Sequence, residues 1–389
     1  MGIKKTIRVD DRPCRYNLEY EGIERSPAVL LPLTDIAMVT INPGSVCRYG
    51  IGDDPDLLRD STTMTKRLNE TQIARFFEEG YLMVPDLFLP SELVSLQNEI
   101  CEIVDKTAQS LYAEGRIPHL WETEGFTTRL TRLLSDTPGE ANRFFKSLEG
   151  KGGGGHNGPE MFGLLTHPVL LDAMEDLLNT SEIVASSVYR IRPKVPRLGR
   201  GVVPWHQDSG YISPRCDNEL IVTCWIPLVD ATVENGCLSV LPRTHQGQVA
   251  RHHTGGNAGF LVIMDDDLPA PIANAAPVPV PLGGALLLTN LTPHCSTPNE
   301  TDTIRWSVDL RYQSADVPNN IGADLKDLVP DAPEVTMACY PPEGDFVVRS
   351  VKHPETVADF ADFVRRRTAF EQVRIAGPNR GWRPVPDMP

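Results

Sequence analysis

The sequence predicts a mainly β fold with flanking helices, and three observations carry the prediction. From Glu182 to Gln313, short runs of Val, Ile, Leu, Tyr and Trp alternate with Pro, Gly and Asn, the texture of many short strands closing into a barrel or sandwich. Upstream of that region, apolar residues recur at helical spacing, and they do so again after about residue 350. No apolar run approaches the roughly 18 residues that a membrane span needs.

Taken in order, residues 1–65 are rich in Pro, Asp and Arg with short apolar runs, and read as an irregular or partly β extension. At Asn69 the pattern changes. Asn69 and Gln72 form a capping box, Ile73, Phe76 and Phe77 recur at helical spacing, and Gly80 supplies the stop. A strand, YLMV, follows. Ser91 opens a longer helix through about Ala113, with Leu93, Leu96, Ile100 and Val104 along one face. The glycine run in KGGGGHNGPEM lacks the GK[ST] of a phosphate-binding loop and reads as a surface or entrance loop. Within the β region, Asn235-Gly236 suits the positive φ angles of a tight hairpin. After about 350, HPETVADFADFVRRRTAFEQV returns to helix, and the tail GPNRGWRPVPDMP reads as extended. The division is therefore an extension (1–65), a main domain (66–350, with its β core at about 182–313) and a C-terminal helix and tail (351–389).

A chain of 389 residues can bury a large core, and 41% hydrophobic with 23% charged residues is the composition of an ordinary globular protein. Its formal charge of −15 repels nucleic acid and anionic membranes, so neither is an expected partner, and an anionic ligand requires a local basic pocket. Eight cysteines without CxxC spacing suggest buried free thiols in a reducing, cytoplasmic setting, and the N-terminus lacks the apolar stretch of a secretory signal.

The segment that carries chemistry is VVPWHQDSGY. Residues i and i+2 of a strand point to one face, so His206 and Asp208 can chelate one metal. An HxD triplet is weak evidence alone. A third histidine, His294, follows the apolar strand GGALLLTNLTPH, and the resulting two-His-one-carboxylate set suits Fe(II) with open positions for other ligands. Beyond it, IRWSVDLRYQ places Arg305, Ser307, Asp309 and Arg311 on one strand face and Ile304, Trp306, Val308 and Leu310 on the other. A polar row turned inward is costly unless it lines a site, and Arg305 can offer a planar fork of donors to a carboxylate.

These segments together resemble the phytanoyl-CoA dioxygenase family of Fe(II)/2-oxoglutarate oxygenases. The likeness runs in order from LNETQIARFFEEGYLMVPDLFLPSELVSLQNEI through THPVLLDAMEDLL, WHQD, ELIVTCWIPLVDATVENGCLSVLPRTH and GGALLLTNLTPHCSTPN to Arg305, about two-thirds of the chain. The resemblance implies a double-stranded β-helix (a cupin-like jelly roll), iron held by His206, Asp208 and His294, and O2 as oxidant. It also implies that Arg305, with Ser296, holds the far carboxylate of 2-oxoglutarate. The implied reaction hydroxylates or otherwise oxidises an unactivated C–H bond of a small molecule, releasing succinate and CO2. Where the family has small residues in a PGSH turn, this chain has Arg243 and Thr244 in LPRTH, which puts a charge near the barrel edge.

Two rivals use the same ligands, a non-catalytic metal- or ligand-binding barrel and a zinc hydrolase; neither needs a guanidinium at Arg305. A halogenase needs a small residue at the carboxylate position, which Asp208 fills. For the substrate, the clue is YRIRPKVPRLGRG, in which Arg190, Arg192, Lys194, Arg197 and Arg200 occur without an acid; Arg190 and Arg192, facing the same way on a strand, form the expected pair for an anionic substrate. The remaining histidines read as structural or surface residues: His156 and His167 without metal partners, His245 in a turn hydrogen bond, His252 and His253 in a solvated loop. Asp265, Asp266 and Asp267 lack calcium-loop spacing.

Overall fold

The computed structural model describes residues 67–149, 156–212, 214–256, 259–319, 345–373 and 380–385. The expectations for residues 1–65 and for the glycine run lie outside that set. Among the described residues, no helix is long and apolar enough to cross a membrane.

Twelve strands and seven α-helices are named here in chain order: α1 (Glu70–Glu79), β1 (Tyr81–Val84), α2 (Val94–Ala113), α3 (Arg129–Asp136), α4 (Ala141–Glu149), α5 (Pro159–Leu165), α6 (Pro168–Leu178), β2 (Ile183–Ala185), β3 (Arg190–Lys194), β4 (Ile221–Pro227), β5 (Leu238–Val240), β6 (His253–Thr254), β7 (Ala276–Val278), β8 (Ala285–Thr289), β9 (His294–Ser296), β10 (Arg305–Ser314), β11 (Phe346–Arg349), α7 (Phe360–Val373) and β12 (Arg383–Pro384). The capping box of α1 is present in both directions, and Gly80 closes that helix in the left-handed conformation. The helix expected from Ser91 begins instead as a 3-10 turn over Pro90–Leu93 and becomes α-helical at Val94. Likewise α7 starts at Phe360 rather than near 350, with a 3-10 turn at Pro354–Thr356 before it.

The large sheet runs β1-β8-β4-β10-β2-β11, with β3 also paired to β10, and the pairings are antiparallel. A smaller sheet, β7-β5-β9, lies against it. Strand alternation shows how the two sheets and the helices share the core. On β4 and β8, Trp225, Leu286 and Leu288 pack with Leu238, Val240 and Val278 of the small sheet. Their neighbours Val222, Cys224, Ile226, Ala285 and Leu287 turn the other way, into the cluster that holds Leu96, Ile100 and Val104 of α2. This is a jelly roll with helices on the outer face of its large sheet. Cys101, Cys216, Cys224 and Cys237 are buried.

The Asn235-Gly236 turn is not a tight hairpin. It connects β4 to β5, which belong to different sheets, and Gly236 alone of the two has positive φ (87°). Asn235 instead accepts from the Thr232 backbone N–H through its side-chain oxygen and donates from its amide to Asp230 O at 2.8 Å, tying the loop back on itself. Glycine is required at 236 for a second reason: a Cβ there would stand 2.6 Å from the Lys194 side chain and from Thr297 O.

Candidate active site

The two halves of the site sit at opposite ends of the inward face of β10. Trp306, Val308, Leu310 and Tyr312 join the helix-side core, so Arg305, Ser307, Asp309 and Arg311 face the barrel interior, as their alternation requires.

At one end His206, Asp208 and His294 converge. One ligand-type atom from each lies within 4.8 Å of the others, and all three residues are buried. His206 is not in a regular strand. It forms a single antiparallel bridge to His294, through N–H···O bonds of 3.0 and 2.9 Å, and Asp208 begins a 3-10 turn, Asp208–Tyr211. The expected i, i+2 convergence survives nonetheless, with His206 Nε2 at 3.8 Å from Asp208 Oδ1. The imidazoles are oriented from behind. Nδ1 of His206 lies 2.9 Å from Pro204 O and Nδ1 of His294 lies 3.0 Å from Thr292 O, so each Nδ1–H donates to a carbonyl and each Nε2 keeps its lone pair.

Asp208 is held as firmly. Arg311 donates to it through Nε and Nη2 at 3.1 and 2.9 Å, and the Thr223 hydroxyl donates to Oδ2. Burial opposes its ionisation, but Arg311 and the two imidazoles outweigh that effect and hold its carboxyl well below the usual range. Burial and then His294 push the His206 imidazole down to about 3, so it is neutral at physiological pH, as a ligand must be. Buried, tautomer-fixed nitrogens and an ionised carboxylate converging on one point are a donor set that fits a divalent metal.

The other end is cationic. Arg305, on β10, is opposite Lys194 of β3 in register. Only 2% of Arg305 is exposed; its Nη1 donates to Ser307 Oγ, its guanidinium lies 5.1 Å from the Trp225 ring centroid, and its buried Nε has no partner. Among the described residues no carboxylate pairs with it. Lys194 Nζ donates to Ser296 Oγ at 2.8 Å and to Thr297 O. Burial, then Arg305, pushes the Lys194 amine down to about 6; burial, then Arg192, pushes Arg305 down to about 9. A buried guanidinium without a counterion, beside an amine that can take up a proton, is costly alone and fits an incoming carboxylate.

Between the ends, Arg192 donates to Asp309 at 2.7 Å, Asp309 also accepts from Arg311 at 3.0 Å, and Arg192 lies 5.5 Å from the Phe260 ring centroid. Arg190 and Arg192 do share a strand face and are partly exposed. Arg190 donates to Tyr189 O.

One expectation is overturned. His252 and His253 are buried, at 0% and 7% exposure, because the C-terminal residues 380–385 cover them. Arg243 is an exposed charged side chain; at φ 60° it is clasped to the end of α1 through Glu79. His245 makes a hydrogen bond, but not within its own turn: Nε2 lies 3.0 Å from Phe77 O of α1, which ties the turn to that helix. His156 and His167 lie against Glu99 and Glu92. Sequence reasoning missed Lys194 as part of the anion pocket, since alternation alone puts it in the same basic row as Arg190 and Arg192; the signal was its register with Arg305.

A jelly roll carrying a buried two-histidine, one-carboxylate face defines the class of non-haem iron oxygenases. The family model described as phytanoyl-CoA dioxygenase (PhyH) matches residues 76–307, more than half of the chain, and the chain belongs to that family. It is accordingly a 2-oxoglutarate-dependent oxygenase, with Fe(II) as metal and O2 as oxidant. It is similar to the phytanoyl-CoA dioxygenase domain-containing protein 1 of Mus musculus, 27% identical over 280 residues that cover 64% of this chain and 91% of that protein. It is also similar to a methylphosphonate hydroxylase of Gimesia maris, 26% identical over 252 residues covering 64% and 83%. Among solved structures, EvdO2 from Micromonospora carbonacea var. aurantiaca, complexed with 2-oxoglutarate, matches with a TM-score of 0.44 at 25% identity, over 64% of this chain and 91% of that one.

Proposed function

We propose that this oxygenase hydroxylates an unactivated C–H bond of a small anionic metabolite, with His206, Asp208 and His294 as the iron ligands. Arg305, assisted by Lys194 and Ser296, would hold the far carboxylate of 2-oxoglutarate. Bound Fe(II) supplies the chemistry that couples O2 reduction to decarboxylation of 2-oxoglutarate, giving succinate and CO2, and to oxidation of the substrate.

The protein's part follows from its own atoms. Pro204 O and Thr292 O keep the two Nε2 lone pairs aimed at one point. Thr223 and Arg311 fix the Asp208 carboxylate and keep it ionised. Arg305 draws a dicarboxylate in by charge, Lys194 takes up a proton as the carboxylate arrives, and the Trp225 ring backs the guanidinium and excludes water. Arg190 and Arg192, at the accessible part of the same basic row, are the proposed substrate anchors, and a relative named for hydroxylating a phosphonate acts on an anion of the required sign. On this reading residues 66–350 form the oxygenase domain, 351–389 its C-terminal helix and tail, and 1–65 an extension.

The single observation that carries the reading is the buried, carboxylate-free Arg305 on the same strand face as the residue that holds Asp208. Anaerobic titration of the protein with Fe(II) and then 2-oxoglutarate tests it: a weak visible charge-transfer band should grow to one equivalent. No band with both added, in folded protein, would sink the proposal.

A further inference from the structure

The segment 380–385 lies outside the matched family region, yet it reaches the turn that carries Asp208. Arg380, with 6% of its side chain exposed, donates from Nη1 to Ser209 O at 2.7 Å and from Nη2 to Asp217. Trp382 donates from its indole N–H to Gly210 O at 2.9 Å. Its ring packs on the His252 imidazole at 5.2 Å between centroids. That imidazole is itself a prop: Nδ1–H donates to Ala250 O at 2.8 Å, which leaves Nε2 to accept the Gln207 backbone N–H at 3.0 Å. Gly210 is pressed so closely on it that a Cβ there would meet Nε2 at 2.6 Å. The segment is anchored by parallel pairing of Arg383 and Pro384 with His253 and Thr254, and by Val385 N–H to Thr254 O at 2.8 Å.

Backbone groups on both sides of Asp208 therefore depend on the C-terminal segment. The carbonyls of Ser209 and Gly210 are bonded to it directly. The N–H of Gln207 is bonded to a histidine against which the Trp382 ring packs at a tilt of 39°. The turn is short and 3-10. On its inner side it is held by Ser209 N–H to Asn290 O at 3.0 Å, by Gln207 Nε2 to Leu291 O at 2.7 Å and by Arg311 on Asp208; the C-terminal segment holds the outer side, through the two carbonyls that follow Asp208. A metal ligand displaced by a fraction of an ångström binds its ion more weakly.

We propose that residues 380–385 are a brace on the metal-binding turn, and that Arg380 and Trp382 are positioning residues that set metal affinity without touching the metal. The proposal rests on the reading that Asp208 is a metal ligand. It gives the C-terminal tail a role in loading the site: a chain that loses the tail keeps all three ligands and holds its metal poorly.

The test uses full-length protein, with Mn(II) as an EPR-detected probe and Fe(II) under anaerobic conditions. Arg380→Met and Trp382→Ala should each weaken binding of both ions by up to about 10-fold, the low end of what losing a direct partner of a ligand costs, because both act through the backbone next to Asp208. Trp382→Phe keeps the ring packing and removes only the donor, so it should fall between wild type and Trp382→Ala. Amide hydrogen exchange in the metal-free proteins should accelerate at residues 207–212 and stay unchanged in β4, β8 and β10, which a general loss of stability would not produce. Should Trp382→Ala prove unfolded by circular dichroism, Trp382→Phe and Arg380→Lys carry the same comparison at smaller effect. Wild-type metal affinity in the folded Arg380 and Trp382 variants overturns the brace. If instead Asp208→Ala binds both ions as tightly as wild type, the ligand assignment itself has failed, and the brace with it.

Discussion

Arg305 and Arg311 stand six residues apart on the same face of one strand, and their surroundings are opposite. Arg311 forms a two-pronged pair with Asp208 and a further bond to Asp309. Arg305 has a serine hydroxyl, an aromatic ring and the Lys194 amine, pushed down to about 6, for neighbours. Arg311 neutralises a carboxylate that belongs to the protein and so helps build the metal site permanently. Among the described residues Arg305 is left without a carboxylate, and on the proposed reading that uncompensated charge favours the carboxylate of 2-oxoglutarate when it arrives. On that reading the same residue type serves the scaffold at one end and an incoming ligand at the other, and the difference is made by Asp208, a carboxylate from outside β10 that reaches Arg311 and not Arg305.

The largest effect should come from breaking the scaffold end. Asp208→Ala removes a ligand and its charge together, and succinate formation with reconstituted iron should fall by at least about 100-fold. The fold should persist, because Arg311 keeps Asp309. Wild-type-like turnover would remove Asp208 from the ligand set.

Next is the ligand end. Arg305→Leu should raise the Michaelis constant for 2-oxoglutarate by roughly 30- to 4,000-fold, the equivalent of about 2 to 5 kcal/mol for truncating a buried charge contact. Mn(II) affinity should stay near wild type, since Arg305 makes none of the contacts that orient the triad. An unchanged constant would transfer the anchor to another basic group.

Lys194 sharpens the comparison through pH. With its amine pushed down to about 6, it is mostly neutral at pH 8, and a bound carboxylate favours its protonation. Affinity for 2-oxoglutarate should therefore fall as pH rises from 6 to 8.5, by at most about tenfold per unit. Lys194→Met should flatten that slope. The stability of the free protein should run the other way. Between about 6 and the ordinary 10.5 the unfolded chain binds the extra proton, so this group makes the wild type more stable as pH rises, and the variant lacks that rise. Parallel pH profiles for the two proteins would exclude Lys194 from the pocket.

The smallest effect is expected at the accessible arginines. Replacing Arg190 and Arg192 with Gln should raise the substrate's Michaelis constant by about 2- to 5-fold per residue and reduce its salt dependence, with metal and 2-oxoglutarate affinities nearly constant. Kinetics unchanged at low and high salt would show that this pair does not anchor the substrate.

Much of this molecule is legible in one dimension, wherever a local rule acts alone. The Asn69/Gln72 cap, the apolar face of α2, the alternation of β10 and the convergence of His206 with Asp208 follow from helical and strand periods that no neighbour needs to supply. Helices α3 to α6 went unassigned apart from the likeness of THPVLLDAMEDLL to a known segment. They are 7 to 11 residues long, too short to declare themselves by period, and are held by burial against the large sheet. His252 and His253 look like solvated loop residues until the distant Trp382 and Pro384 cover them. Lys194 reads as one member of a basic row until antiparallel pairing sets it opposite Arg305. The ligand types and their spacing were written in the chain because chemistry and backbone geometry select them locally. Which cation is paired and which is left free depends on strand register and on burial, and those exist only once residues far apart in sequence have come together.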